Sequence, residues 1–255
     1  MMQQQLSQPA TYSNRQALAA PSAYSYADEI AKQVKLRRRS EAIIYATTWS
    51  PCGNYLLAGN CFSAICVWNC SPCFHQERND GSDNKHSSAI MKDEPICSFQ
   101  IKTGGTIHDL VFQCLAAGGG SEHFLLVSTA TSGCLVYKWS DLMAQIDTII
   151  QSNADDTIST STVDISNHTS PTSTFRPAGR SGCVLSASCD MNLGLINAAS
   201  GSDGILQWDI ESGNYLGAMY FSRDSDGKSY RCVKSISSRG LLVAGGEMEG
   251  FLVSC

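Results

Sequence analysis

INAASGSDGILQWDIESG (Ile196–Gly213) decides the fold of this chain. A short apolar run, Ile196 to Ala199, meets a turn of Ser, Gly and Asp. A second run, Ile205 to Trp208, then ends at the pair Trp208-Asp209. Small turn residues permit the positive φ or the tight bend, and the flanking runs suit a pleated surface. Strand, turn, strand is therefore the reading. The same pattern occurs three more times, in LLAGNCFSAICVWN (Leu56–Asn69), LLVSTATSGCLVYKWS (Leu125–Ser140) and LLVAGGEMEGFLVSC (Leu241–Cys255). Gly59, Gly133, Gly204 and Gly250 are taken as the turn glycines of the four copies. Repetition of this kind sets an architecture before any single element does.

Each copy is preceded by another short apolar stretch: Ile43–Trp49, Thr106–Phe112, Cys183–Ser188 and Cys232–Ile236. Tyr215–Phe221 follows the third copy after the turn Glu211-Ser-Gly-Asn214. One unit is a four-stranded antiparallel meander ending in Trp or Trp-Asp, the pattern of a WD-repeat β-propeller blade. Trp208 to Cys255 spans 47 positions, about one blade, whereas Trp68 to Trp139 spans 71 and Trp139 to Trp208 spans 69. The two longer gaps require inserts. They are read as loops at 70–95 and 141–178: the first polar, with Ile96 opening the second blade after it, the second opening with a short helical stretch (DLMAQIDTIIQ) and continuing as a mobile Ser/Thr-rich run.

The expected organisation is a disordered, Gln- and Ser-rich tail over 1–24, a helix over 25–40, and a partial propeller over 41–255. The fold class is all-β, with about three and a half of roughly seven blades. Such a set leaves two open sheet faces. If each exposes on the order of 400 Å² of apolar surface, it forgoes about 10 kcal/mol of burial. The expectation is that the reading frame continues beyond Cys255, or that another chain completes the ring.

Composition narrows the function. The chain has 255 residues, 43% hydrophobic, and a net charge of −5. That charge argues against broad RNA binding by the chain itself, which needs a basic face. No apolar run is long enough for a membrane-spanning helix, and the first residues lack the apolar centre of a signal peptide. The twelve Cys are expected to stay reduced, several acting as small hydrophobes in strands.

Trp68, Trp139 and Trp208 are read as packing between blades rather than as a binding surface, because each ends an alternating strand. Trp49 is assigned to the core. Asp203, in the turn before Trp208, is expected in the hydrogen-bond network of its blade, and Asp209 completes the one true Trp-Asp pair. The Gly-His dipeptide common ahead of the first strand of WD repeats is absent from all four units, so packing is expected to hold the blades more than Asp-His-Ser-Trp networks do. Lys35, Arg37, Arg38 and Arg39 form a basic run. It reads either as a solvated helix end or as a nuclear targeting signal.

Four chemical readings fail. Cys66, Cys70, Cys73 and His75 do not give the two ligand pairs of a structural zinc. Asp226-Gly-Lys-Ser229 lacks the Gly and the helix of a phosphate-binding loop. Asp224, Asp226 and Gly227 lack the later ligands of a calcium loop. His108 and Asp109, the one tempting catalytic pair, are neighbours on a strand and so point to opposite faces. No catalytic residue, cofactor site or metal site is assigned.

Beyond the blade pattern, several stretches resemble one WD-repeat family, that of subunit 6 of the THO complex. They are ADEIAKQVKLRRRSEAIIYATTWSP, SPCGNYLLAGN, ICSFQ, GGTIHDLVF, HFLLVSTATSGCLVYKW and INAASGSDGILQWDIESG, in that order, with a long connection after Trp139. The resemblance covers about 28–255. It implies a non-catalytic scaffold in the nucleus, within the THO/TREX assembly that handles messenger RNA processing and export. The implied partners are other THO subunits, particularly the coiled-coil subunits 5 and 7. RNA would be met only indirectly, and oligomers would form through the complex. Two other classes stay open: a WD-repeat substrate receptor of a cullin-RING ubiquitin ligase, and an unspecialised scaffold. The receptor reading expects Arg three positions after Trp208, where Glu211 stands.

Overall fold

The computed structural model describes residues 42–71, 94–102, 104–117, 120–155, 162–177, 182–220, 229–246 and 250–254. The chain divides into two units, Met1–Arg37 and Arg38–Cys255, and every described residue belongs to the second. The tail over 1–24, the helix over 25–40 with Lys35, Arg37, Arg38 and Arg39, and most of the 70–95 insert lie outside the described residues.

Four sheets account for the four repeats. The first holds β1 (Ile44–Trp49), β2 (Tyr55–Asn60), β3 (Ala64–Asn69) and β4 (Cys97–Gln100), each antiparallel to the last. The second holds β5 (Ile107–Ala117), β6 (Gly120–Thr129) and β7 (Gly133–Lys138). After β7 comes helix α1 (Trp139–Asp155), then two short strands, β8 (Val163–Asp164) and β9 (Ser173–Phe175). The third sheet is the meander β10 (Ser186–Asp190), β11 (Leu195–Ala199), β12 (Ile205–Asp209) and β13 (Tyr215–Met219). The fourth is β14 (Tyr230–Ile236), β15 (Leu241–Gly246) and β16 (Gly250–Ser254).

Two expectations about the inserts change. Ile96 opens no second blade: Cys97–Gln100 pairs with β3 and completes the first sheet. In 141–178 the expected opening helix forms, and the described part of the Ser/Thr-rich run is not a free loop. The helix buries Leu142, Ile146 and Ile149, spaced four and three residues apart, against the first two sheets. The Ser/Thr-rich remainder then crosses from sheet to sheet. β8 lies parallel to β4, Cys97 opposite Val163, and β9 lies antiparallel to β7, Cys134 opposite Phe175. Ile165 N donates to Ser98 O at 2.9 Å and Thr172 N to Val136 O at 2.7 Å. A polar sequence suits this place, because an outer strand needs backbone pairing on one side and solvent on the other.

The first strands β1, β5, β10 and β14 lie side by side, and the sheets fan out from them. Where sheets converge, only small side chains fit. A Cβ on Gly59 would lie 2.4 Å from Ile107 Cγ2 of the next sheet. Gly59 thus sits inside β2 because of close approach, and the left-handed turn residue of that hairpin is Ser63, at φ 64°. Gly133 and Gly204 do occupy left-handed turns, at φ 79° and 81°. Gly250 opens β16 opposite Gly245.

Further out the sheets diverge and aromatic rings fill the space. Trp139 packs edge-on to Phe112 at 5.0 Å and to Tyr55 at 6.3 Å, in the core between the first and second sheets. It does so as the first residue of α1 rather than the last of a strand. Trp208 packs against Phe175 and Tyr215 between the second and third sheets, and its indole N–H donates to Arg176 O at 3.4 Å. Trp68 is half-buried, on the face of β3 opposite Ile65 and Val67, which point to the second sheet. Trp49 is 49% exposed and not in the core.

Trp208, 1% exposed, fills the widest part of its seam. Trp208→Ala is expected to cost on the order of 3–5 kcal/mol and to lower the thermal midpoint by roughly 10 °C in calorimetry. Trp49→Ala should move the midpoint far less. Equal shifts would remove the inter-sheet role.

Candidate docking surface

Three of the four first strands carry one extra residue at the same place. The register slips between Ile44 and Ala46, between Ile107 and Asp109, and between Tyr230 and Cys232. Tyr45, His108 and Arg231 are the bulged residues. A bulge breaks the two-residue alternation and re-aims the side chain at it. Tyr45 and His108 meet as a result, their ring centroids 6.4 Å apart and nearly perpendicular. Ile43 and Ile44 lie beside them, and Phe62 stands on the β2–β3 turn at the same end, since Cys61 N donates to Ile43 O. Ile43, Ile44, Tyr45 and Phe62 are all exposed, Ile43 at 66%. Clustered apolar surface with an aromatic ring is what a protein partner recognises. Partial burial holds the His108 imidazole below its ordinary pKa of 6.5, so the rim is uncharged at this point near neutral pH.

A polar ladder under the His108 part of the rim joins β5, β10 and β14. Ser186 Oγ donates to Asp109 Oδ2 at 2.7 Å and accepts from Val233 N at 3.5 Å, joining three sheets through one hydroxyl. Ser235 N donates to Ser188 Oγ at 3.0 Å. Asn197 Nδ2 donates to Ser235 Oγ, and Gln207 Nε2 to Asn197 Oδ1 at 2.7 Å. First strands of neighbouring sheets do not pair through their backbones, so hydroxyls and amides do the joining.

Many solved structures are similar to the chain, two crystal structures among them. The first is the Myceliophteria thermophila Cps50 (Swd1) beta-propeller domain, at TM-score 0.50 and 14% identity, covering 84% of this chain and 53% of that one. The second is Chaetomium thermophilum Raptor, at TM-score 0.49 and 15% identity, covering 85% of this chain and 16% of that one. The chain thus spans about half the length of the first domain, and at this identity the first likeness speaks for the fold alone. The fold is a partial WD-repeat β-propeller. No family model matches the sequence, and no curated protein is similar to it.

The sequence-assigned residues of the propeller belong to its blades and turns, and Gly59 lies opposite Ala46 at the first bulge. Asp203 N donates to Ser200 Oγ at 3.2 Å, and Ser200 Oγ donates to Asp203 Oδ2 at 3.4 Å, inside the β11–β12 turn. Asn60 and Thr129 hold the equivalent turns of the first two blades. Asn60 Oδ1 accepts from Ala64 N, and Thr129 Oγ1 accepts from Ser132 N. Asp209 Oδ1 accepts from Ser212 N at 2.7 Å and Ser212 Oγ at 2.6 Å. Those bonds, the hydroxyl's first, hold its carboxyl below the ordinary value. Of the dismissed zinc set, Cys66 and Cys70 are buried, while Cys73 and His75 lie outside the described residues. The bulge also undoes the alternation argument for His108 and Asp109. His108 is aimed at Tyr45 and Asp109 at Ser186, so the pair is still not joined.

Asp109 titrates in a telling way. Burial pushes its carboxyl above the ordinary 3.8. The opposing effects are bonds from Ser186, Leu110 N–H and Ala187 N–H, and the charge of Lys234. A carboxyl that holds its proton more tightly folded than unfolded binds more protons in the native state, so stability falls as pH rises through that window. The unfolding free energy of the wild type minus that of Asp109→Asn should therefore decline as pH climbs from below 3.8 through the raised value. Urea titrations in steps from about pH 3 to about pH 7 read this. A flat or rising difference would contradict the buried placement.

Proposed function

We propose that the chain is a non-catalytic docking subunit of a THO/TREX-type nuclear assembly acting in messenger RNA processing and export. The observation that carries docking is the exposed cluster Ile43, Ile44, Tyr45 and Phe62 on the rim of a rigid propeller. It offers apolar area and aromatic edges and no nucleophile paired with a base, the constituents of a protein contact rather than of catalysis. The finer assignment is supported by the stretches that resemble the subunit 6 family. The coiled-coil subunits 5 and 7 are the partners proposed for the rim, since an apolar helical stripe complements such a surface. RNA is met through the wider complex, in keeping with a net charge of −5.

Affinity capture from nuclear extract tests this. The wild type should retain THO subunits together with RNA-handling factors, and Ile44→Glu with Tyr45→Glu should lose them while its melting curve stays in place. Recovery of cullin adaptors instead would favour the ubiquitin-ligase receptor reading. Recovery of neither, or capture that survives both substitutions, would overturn docking through the rim.

Nuclear residence is proposed to depend on Lys35, Arg37, Arg38 and Arg39. Replacing Arg37 to Arg39 by Ala should shift a fluorescent fusion toward the cytoplasm in live-cell imaging; an unchanged distribution would leave the run as a solvated helix end.

A further inference from the structure

A second feature lies away from the rim, on the outer side of the seam between the first two blades. The end of β4, the face of β7, and the segment from Ser166 to Arg176 enclose a cavity of about 190 Å³. Two cations line it, Lys102 and Arg176, and no Asp or Glu does. Tyr137 lines it from below, only 3% exposed. Its ring packs on Phe99 at 5.6 Å, and its hydroxyl has no hydrogen-bond partner among the described residues. Burial pushes that phenol up to about 12, so it stays a proton donor. A buried donor left unmatched is costly, and such a group is best explained by something it awaits.

The other donors separate the ligand classes. Ser166 Oγ gives its proton to Asp164 and accepts from Gln100 N at 2.8 Å, and Thr169 Oγ1 donates to Ile165 O at 3.2 Å. Those two hydroxyls shape the wall. Ser170 and Thr174 add two more hydroxyl-bearing side chains to the lining. Two cations with several hydroxyl donors exceed what one carboxylate needs. They suit a phosphate monoester, which carries about −1.5 to −2 charge and three acceptor oxygens.

We propose that this seam cavity binds a phosphorylated Ser or Thr side chain of a partner protein. The phosphate sits between Lys102 and Arg176, and the Tyr137 hydroxyl donates to one of its oxygens. With two cations, the cavity matches one phosphate and not a polyphosphorylated headgroup. The proposal is independent of the THO reading and of the rim.

The full chain is passed over an immobilised library of phosphoserine and phosphothreonine peptides, beside the same library unphosphorylated. It is also sedimented with phosphatidylcholine vesicles containing a phosphatidylinositol monophosphate. Retention on the phosphorylated library alone is expected, with displacement by inorganic phosphate. Lys102→Glu should weaken retention by about tenfold or more, and Tyr137→Phe by a smaller factor. Lys102 is exposed, so its variants should melt as the wild type does, and Lys102→Arg should keep the binding. Equal retention on both libraries, retention on neither, binding to vesicles alone, or retention that survives Lys102→Glu would each overturn the proposal.

Discussion

The wedge between neighbouring sheets is the constraint on which the rest depends. Four sheets share a line of first strands and spread outward, so each seam is tight inside and wide outside. Volume must rise along the seam. Ala187 and Ala198 serve near the first strands of the third blade, and Trp208 with Phe175 fills the outside. Gly59 against Ile107 is the tight limit of the same rule. Close packing makes this gradient sharp, because a void or an overlap of even one methylene is felt. A Trp at the end of the third strand is thus a consequence of geometry.

The insert after β7 shows how an irregular sequence is absorbed by that frame. Trp139 completes the seam between the first two blades, and the helix it starts places Ile146 and Ile149 over the same core. The chain then pairs with β4 before it reaches β7. One segment so covers the outer strand of one blade and supplies the outer strand of the next. The seam cavity is a by-product of this crossing: a polypeptide bridging two diverging sheets cannot fill the space beneath it.

The repeats were legible because strand, turn and strand recur, with Trp closing three of the four copies. The fourth strands of the first two blades were not. Cys97-Ser-Phe-Gln100 is short and stands after a polar insert, so it read as the start of a new blade. Ser173-Thr-Phe175 is too polar to signal a strand. Both are placed by pairing with a distant partner, which no local pattern encodes. The turn clamps Asn60, Thr129 and Ser200 share a position but not a residue type, and the ladder of Ser186, Ser188, Asn197 and Ser235 is built from residues that commonly mark turns. Gly59 was found but assigned the wrong reason, since close approach and positive φ leave the same letter in a sequence.

The rim was the hardest part to see, for a physical cause. A strand read with period two assigns Tyr45 and His108 to faces by counting, and the count fails at a bulge. The extra residue gives up its place in the backbone ladder and sends its side chain off the alternating faces. Repeating that device at one level of β1, β5 and β14 sets non-alternating side chains around one end of the inner strands. Below that level the ladder from Asp109 through Ser186 to Val233 ties β5, β10 and β14 together. On β5 and β14 the bulges re-aim side chains where the ladder keeps the backbone from following them. Under the docking proposal, a surface held this way would meet its partner with little ordering cost left to overcome.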